Sequence, residues 1–153
     1  FKAPKGSPYP AILDQRDMPA PWSELVIDGA GGPVRITAFD QEHGSIRSVG
    51  FRIGALAYSA DINGLPEASA AVLAGIGCWV VDALRHEPHP THFGVDDALR
   101  EIERVGARSA VLTNLHITLD YDALSTQLPR GVSCAHEGLQ ILAADGEAWI
   151  EAS

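Results

Sequence analysis

The first half of the chain shows short alternating or apolar runs that are separated by glycine and polar turns. Residues 33–39, "PVRITAF", alternate apolar and polar positions, as in a strand with one buried face. The preceding "GAGG" lacks the following helix of a phosphate-cradling loop, so it predicts a hairpin turn, and "QEHG" at 41–44 predicts the end of the strand. Four strands are therefore predicted, at residues 24–28, 33–39, 48–54 and 55–61.

The second half of the chain alternates strand and helix patterns. "VDDALREIERVG" at 95–106 places its apolar residues on one helical stripe, and Gly106 stands where a helix would end. "CWVVDAL" at 78–84 is nearly all apolar, as expected for a strand that is buried on both faces. Further helices are predicted at 65–76 and 120–128, a further strand at 109–114, and closing strands within "VSCAHEG", "LQILA" and "EAWIEA".

This order of elements predicts the fold class. Strands followed by alternating strand and helix units indicate an α/β protein with a mixed sheet and flanking helices. Residues 1–22 contain five prolines and no sustained periodicity, so we predict an irregular segment there and a folded part at 23–153. The beginning, "FKAPKGSPYP", has no Met and no apolar core, which is typical of a mid-chain loop and not of a signal peptide.

Composition and charge narrow the classes of partner. The chain has 153 residues, of which 46% are hydrophobic, as expected for one globular domain or part of a larger one. A net charge of −9 argues against non-specific binding to nucleic acid or to an anionic membrane. No apolar run approaches the ~20 residues of a membrane helix. Cys78 and Cys134 lie in apolar stretches, so we predict buried reduced thiols and a cytoplasmic protein.

Metal-binding types of residue follow four of the predicted strands, namely His43, Asp61, His92 and His116. In α/β sheets, ligands bind beyond the carboxyl ends of the strands. Imidazole and carboxylate groups are the usual ligands of Zn²⁺ or Mn²⁺, and a carboxylate can bridge two such ions about 3.5–4 Å apart. We predict the bridging role for Asp61, because it ends an apolar strand, where an unpaired carboxylate would be costly.

Each of these residues also has an ordinary structural interpretation. Asp61 could cap the helix that begins near Pro66, or start a side-chain turn. His43 could be a simple turn histidine, and His116 a loop histidine that is hydrogen-bonded to backbone. The residues alone leave these alternatives open.

The segment "RHEPHPTHFG" at 85–94 holds three histidines. We predict that His86 is exposed and that His89, which lies between two prolines, is held by a stiff backbone. His92 precedes a helix whose N-terminus favours an anion, so it is a candidate phosphate contact and general acid. The segment therefore predicts a loop that presents His89 and His92 to a substrate.

Three stretches together resemble a known superfamily. "FDQEHGSIRSVGFRIGALAYSADINGLPE", "VVDALRHEPHPTHFGVDDAL" and "AVLTNLHITLDYDALSTQLPRGV" are similar to the C-terminal half of a metallo-β-lactamase-fold hydrolase. Within it, they resemble the phosphoribosyl cyclic phosphate phosphodiesterase-like branch, which is related to the tRNA 3′-processing endonucleases. The similarity covers residues ~10 to 142 as motifs in the same order.

This resemblance implies an αβ/βα sandwich with two divalent metal ions, Zn or Mn, between two sheets. It implies that His43 is a ligand of one metal, Asp61 the bridging carboxylate and His116 a ligand of the second metal. It further implies that His92 contacts the phosphate and protonates the leaving alkoxide. The expected reaction is metal-dependent hydrolysis of a phosphodiester, of the cyclic ribose phosphate or nucleotide type.

Two departures from the family pattern limit these expectations. The principal metal motif of the family, His-x-His-x-Asp-His, lies upstream in the relatives and is absent from this sequence. We therefore expect a C-terminal half that is inactive alone and needs the missing N-terminal half or a second copy, as in a homo-oligomer. Second, many relatives have the last histidine ligand directly after Leu-Thr, whereas Asn114 and Leu115 intervene here.

Two other functions remain as alternatives. One is a non-catalytic module that binds a metal or a nucleotide, and the other is a metallo-β-lactamase-fold protein of pyrroloquinoline quinone biosynthesis. The absence of basic charge runs makes a nucleic acid such as tRNA an unexpected partner.

Overall fold

The computed structural model describes residues 5–6, 17–18, 20–144 and 146–151. The predicted irregular segment at 1–22 lies largely outside these residues, and its boundary with a folded part at residue 23 stays a prediction. The elements in chain order are β1 (Glu24–Gly29), β2 (Gly32–His43), β3 (Ile46–Ile53), β4 (Leu56–Ser59), α1 (Glu67–Leu73), β5 (Cys78–Asp82), α2 (Val95–Val105), β6 (Ser109–Thr113), α3 (Tyr121–Gln127), β7 (Val132–Cys134), β8 (Ile141–Ala144) and β9 (Glu147–Ile150).

The first seven strands form one mixed sheet in sequential order. β1 to β4 pair antiparallel, as successive hairpins, and β4 to β7 pair parallel, with connections that contain the helices. Because β2 is antiparallel to β3 and β3 to β4, β2 runs in the same direction as β4 to β7. The carboxyl ends of five strands therefore meet at one edge of the sheet, and the predicted mixed α/β sheet is confirmed.

The second strand is longer than its sequence pattern predicts. β2 continues through Gln41 to His43, which pairs with Ile46. The expected break at 41–44 was wrong, because the polar residues of this stretch still form ladder pairs with β3. His43 is thus the last residue of a strand and lies at the carboxyl edge of the sheet.

Local sequence signals determine the ends of the helices. α2 ends at Gly106, whose φ of 66° is in the left-handed region that favours glycine. α3 begins after Asp120, whose side chain accepts a hydrogen bond from the Ala123 amide at 2.8 Å. α1 is shorter than the predicted helix at 65–76. No helix in the described part of the chain is long and apolar enough to cross a membrane.

The main hydrophobic core lies on the face of the sheet that carries the three helices. The apolar stripe of α2 packs there through Val95, Ala98, Ile102 and Val105, as its periodicity predicts. Trp79 of β5 is fully buried in this core, and its indole N–H donates to Ser59 Oγ at 3.0 Å.

The opposite face of the sheet is apolar but partly open. Ala57 packs in the main core, so its neighbour Tyr58 and the directly paired Phe51 lie on the opposite face. Val49 and Ile53 share that face at intervals of two. Tyr58, Val49 and Ile53 are 48%, 41% and 39% exposed, respectively.

The last two strands form a separate hairpin that covers part of this open face. β8 and β9 pair only with each other among the described residues, so they do not continue the main sheet as closing strands. Ala148 packs with Cys78 and Val111 in a small second cluster. The main sheet therefore ends at β7.

Both cysteines are buried free thiols, as predicted from their apolar surroundings. Burial raises the pKa of the Cys78 thiol above its ordinary value of 9.0, and a hydrogen bond with Ser109 offsets part of this effect.

Candidate functional site

Three side chains from distant parts of the chain meet at the carboxyl edge of the sheet. His43 ends β2, Asp61 follows β4, and His92 lies between β5 and α2. Each offers one ligand atom, and these atoms lie within 4.8 Å of one another. The His43 and His92 rings meet edge to face, with centroids 5.0 Å apart.

Hydrogen bonding leaves one nitrogen of His43 available as a ligand. Its Nδ1 lies 2.7 Å from the carbonyl oxygen of Thr91. A carbonyl oxygen only accepts, so Nδ1 carries the proton and Nε2 keeps its lone pair. Most metal-binding histidines have this arrangement, in which the second nitrogen donates to a backbone carbonyl or carboxylate.

A buried carboxylate holds His92. Asp82, the last residue of β5, is fully buried, and its Oδ2 lies 2.5 Å from His92 Nδ1. The other oxygen, Oδ1, accepts from Asn114 Nδ2 at 3.0 Å. These partners offset the cost of burying the carboxylate, and they fix the His92 ring with Nδ1 protonated and Nε2 free.

No role was predicted for Asp82 or Asn114. The signal for Asp82 was a single carboxylate at the end of the apolar run "CWVVDAL", where a carboxylate is stable only with partners. Asn114 was noted only as an interruption before His116. In the structure, its φ of 58° is in the left-handed region, which asparagine tolerates, and its side chain supports Asp82.

Asp61 belongs to the cluster, but it is not desolvated as its place at the end of an apolar strand predicts. Its side chain is 61% exposed, so desolvation is not what singles it out. In the part of the chain described by the structure, no side chain caps α1, so Asp61 is not a helix cap. Its φ of 53° is in the left-handed region, and its carboxylate lies 3.9 Å from His92 Nδ1.

His89 lies beside the cluster. Its ring centroid is 5.1 Å from that of His92, and its Nδ1 accepts from the Thr91 amide at 3.4 Å. Partial burial and the positive charge of Arg85 lower the pKa of His89 below its ordinary value of 6.5. His89 is therefore a neutral imidazole at neutral pH.

The structure places the other two predicted histidines apart from the three ligand atoms. His86 is exposed, as expected. His116 is exposed, and its Nδ1 lies 3.0 Å from Thr118 Oγ1 within its own turn. Its backbone N–H donates to Leu84 O at 2.9 Å, so the turn lies near residues 85–94 (the histidine segment). That His116 is a metal ligand stays a prediction.

The donors of the cluster fit a divalent transition metal ion. Two imidazoles and one carboxylate are ligands that zinc and manganese sites use. His43 Nε2 already has a free lone pair that can bind an ion. Three ligands make an incomplete shell, and two ions would need more donors than His43, Asp61 and His92 supply.

Comparisons with known proteins agree with this fold. The chain is similar to a new diphosphatase from the PhnP family, with 30% identity, a TM-score of 0.72, and coverage of 85% of this chain and 49% of that one. The metallo-beta-lactamase fold protein YhfI from Bacillus subtilis is 19% identical, with a TM-score of 0.63 over 86% of this chain and 54% of that one. The short form of human tRNase Z is 17% identical, with a TM-score of 0.52 over 67% and 40%.

The chain spans about half the length of the first two of these solved proteins. No curated protein sequence matches it. The family model of the beta-lactamase superfamily domain matches residues 5–117, which include His43, Asp61, His92 and His116. The α/β architecture, the mixed sheet and this match lead to one conclusion: the chain belongs to the beta-lactamase superfamily, whose metallo-β-lactamase fold implies the use of divalent metal ions.

Proposed function

We propose that the chain is part of a dinuclear metal-dependent hydrolase that acts on a phosphodiester of the cyclic ribose phosphate or nucleotide type. The observation that carries this proposal is the convergence of His43, Asp61 and His92 at one edge of the sheet, with His92 supported by a buried carboxylate. Superfamily members are hydrolases, and the 30% identical relative is described as a diphosphatase. A diphosphate is therefore the second candidate substrate.

In this proposal, His43 would hold one metal ion, His116 would hold the second, and Asp61 would be the carboxylate that serves both. Bound zinc or manganese ions would supply Lewis-acid activation of the phosphoryl group and of water. The exposure of the Asp61 carboxylate suits a group that must face a ligand. Together with His92, the ligands His43 and Asp61 would place the substrate's phosphorus atom at the carboxyl edge of the sheet.

His92 is the proposed general acid. Its Nδ1 is held by Asp82, so only Nε2 can face a substrate. In the protonated ring, Nε2 donates its proton to the leaving oxygen, while a water oxygen bonds to phosphorus, releases its proton to solvent and displaces that oxygen. Asp82 stabilises the positive ring before transfer and keeps its orientation.

His89 is the proposed substrate contact. Because its Nδ1 accepts from the Thr91 amide, the neutral ring carries its proton on Nε2. That N–H can donate to a phosphoryl oxygen without competing with His92 for the acid role. The lowered pKa of His89 favours this neutral form.

We further propose that this chain is the C-terminal half of its domain and that an N-terminal half completes the site. That half would contribute the His-x-His-x-Asp-His ligands and would pack on the open apolar face with Val49, Ile53 and Tyr58. Burial of such a face is favourable by about 25 cal/mol per Å². A second copy of the chain is the alternative occupant.

Metal content and turnover test the proposal together. Metals per chain would be measured by plasma mass spectrometry, and hydrolysis of bis-p-nitrophenyl phosphate with and without added Zn²⁺ or Mn²⁺. The longer parent should hold about two metals and hydrolyse the ester, whereas the 153-residue chain should hold a trace and show no turnover. Turnover by the 153-residue chain alone would overturn the half-domain proposal.

The same assays separate the alternatives. A non-catalytic module would bind metal or nucleotide in the longer parent and never release p-nitrophenolate. A diphosphatase would release phosphate from a nucleoside diphosphate faster than it cleaves the diester. If a second copy covers the open face, the 153-residue chain would be a dimer in solution and would hold about two metals per chain.

A further inference from the structure

Residues 60–64, which follow β4, lie between the end of β2 and the histidine segment at 85–94. Their backbone pairs with the end of β2, because the Asn63 N–H donates to Glu42 O at 2.8 Å and the Glu42 N–H to Gly64 O at 2.9 Å. On their other side, Ile62 O accepts from the Phe93 N–H at 2.6 Å. One short segment thus contacts the chain next to both His43 and His92.

The side chain of Asn63 bridges the same two neighbours. Its Oδ1 accepts from the Gly44 N–H at 2.9 Å, and its Nδ2 donates to Pro90 O at 2.9 Å. One of these bonds needs an acceptor and the other a donor, so a carboxamide satisfies both at once. A carboxylate would keep only the bond to Gly44.

The two bridged segments are also in direct contact. Thr91, next to Pro90, accepts the His43 Nδ1–H, and a Cβ on Gly44 would lie 2.6 Å from Thr91 Cγ2. Gly44 also has a φ of 63°, so a larger residue is excluded twice. A small displacement of the histidine segment would therefore break the bond that sets the His43 tautomer.

We propose that Asn63 is a positioning residue, whose side-chain amide holds His43 and the histidine segment in register on either side of Asp61. Its effect on turnover rests on the proposed function, but its effect on geometry does not. Asn63 touches no reacting atom in this proposal. It acts through the Gly44 amide and the Pro90 carbonyl.

The test uses Asn63→Ala, which removes both bonds, and Asn63→Asp, which removes only the bond to Pro90. NMR would measure hydrogen exchange at the Gly44 amide and the His43 Nδ1–H signal, both without metal. Gly44 should exchange roughly 5- to 30-fold faster in Asn63→Ala and unchanged in Asn63→Asp. The His43 signal should broaden or vanish in both.

The effect on the metal ligands is measured as the affinity for Zn²⁺, with no substrate present. In the longer parent, Asn63→Ala should weaken the Zn²⁺ affinity about 10-fold, the lower end of the loss for a direct partner of a metal ligand, because Asn63 acts on His43 only through its neighbours. Glu87→Ala, an exposed change in the same histidine segment, is the matched control and should leave both NMR signals and the affinity unchanged.

Normal Gly44 exchange and an intact His43 signal in a folded Asn63→Ala variant would overturn the proposal. Should that variant not fold by circular dichroism, the His43 signal in Asn63→Asp decides. If the longer parent binds no Zn²⁺ or cleaves no phosphodiester, the proposed function fails, while the two NMR signals still decide the role of Asn63.

Discussion

Asp82 is fully buried at the end of β5, and its Oδ2 lies 2.5 Å from His92 Nδ1. The carboxylate points away from solvent and its second oxygen is occupied by Asn114. It therefore has one role towards the site, which is to hold a histidine ring and stabilise its positive form. This pair makes His92 a better candidate for proton transfer than for a surface contact.

Replacing Asp82 with Asn should slow phosphodiester hydrolysis by the longer parent about 10- to 100-fold. The variant loses a charge-assisted hydrogen bond of about 1.5–3 kcal/mol and no longer stabilises the protonated ring. Metal content should stay the same, because Asp82 is not a proposed ligand. The rate and the metal content would be measured on the same sample.

Asp96→Asn is the control for that change, since Asp96 is exposed in the first turn of α2. It should leave the rate unchanged. An Asp82→Asn variant that is folded and as fast as wild type would show that the pair has no part in the reaction.

In the longer parent, Asp61→Ala and His92→Ala should differ in their effects on metal content and on the rate of hydrolysis. Asp61→Ala should lose metal and activity together, because a bridging carboxylate serves both ions. His92→Ala should keep the metals and lose about 10²- to 10⁴-fold in rate, the usual contribution of a general acid. Metal analysis beside steady-state rates measures both. If His92→Ala empties the site, His92 is a ligand and the assigned roles are wrong.

Cys78 should resist alkylation in the native protein. Burial raises the pKa of its thiol above 9.0, so the thiol is protonated at pH 8, and only the thiolate is nucleophilic. Mass spectrometry after iodoacetamide treatment should find Cys78 unmodified without denaturant and fully modified in guanidinium. Rapid native modification would mean that the strand opens or that the thiol is not buried.

His89 should titrate below pH 6.5. Burial and the charge of Arg85 disfavour its protonated form, so the folded protein binds this proton at lower pH than the unfolded chain does. Between the lowered pKa and 6.5, stability should therefore fall as pH falls. A ¹⁵N NMR titration, with His89→Gln to assign the signal, gives the midpoint. A midpoint at or above 6.5 would contradict the effect.

Much of the fold was predictable because its signals are local. The alternation in β2, the apolar run of β5 and the stripe of α2 each follow from side-chain periodicity. The end of β2 was not predictable, because its last pairs join polar residues with β3 and only the partner strand shows them. The separate β8–β9 hairpin was not predictable either, because its position depends on which face of the main sheet the helices leave uncovered.

The candidate site was predictable in residue type and less so in partners. His43, Asp61 and His92 were selected because they follow strands, and the parallel directions of those strands bring them together. Asp82 and Asn114 were missed, since their roles depend on a contact between two strand ends that are far apart in sequence. The same limit hid the bridging role of Asn63.

The parallel pairing of β4, β5 and β6 also has a kinetic consequence. These pairs join segments that are distant along the chain, and non-local pairings of this kind form late in folding. Until β6 docks, Asn114 cannot reach Asp82, and the carboxylate that orients His92 stays hydrated. The Asn114–Asp82 contact therefore reports that β6 has paired with β5.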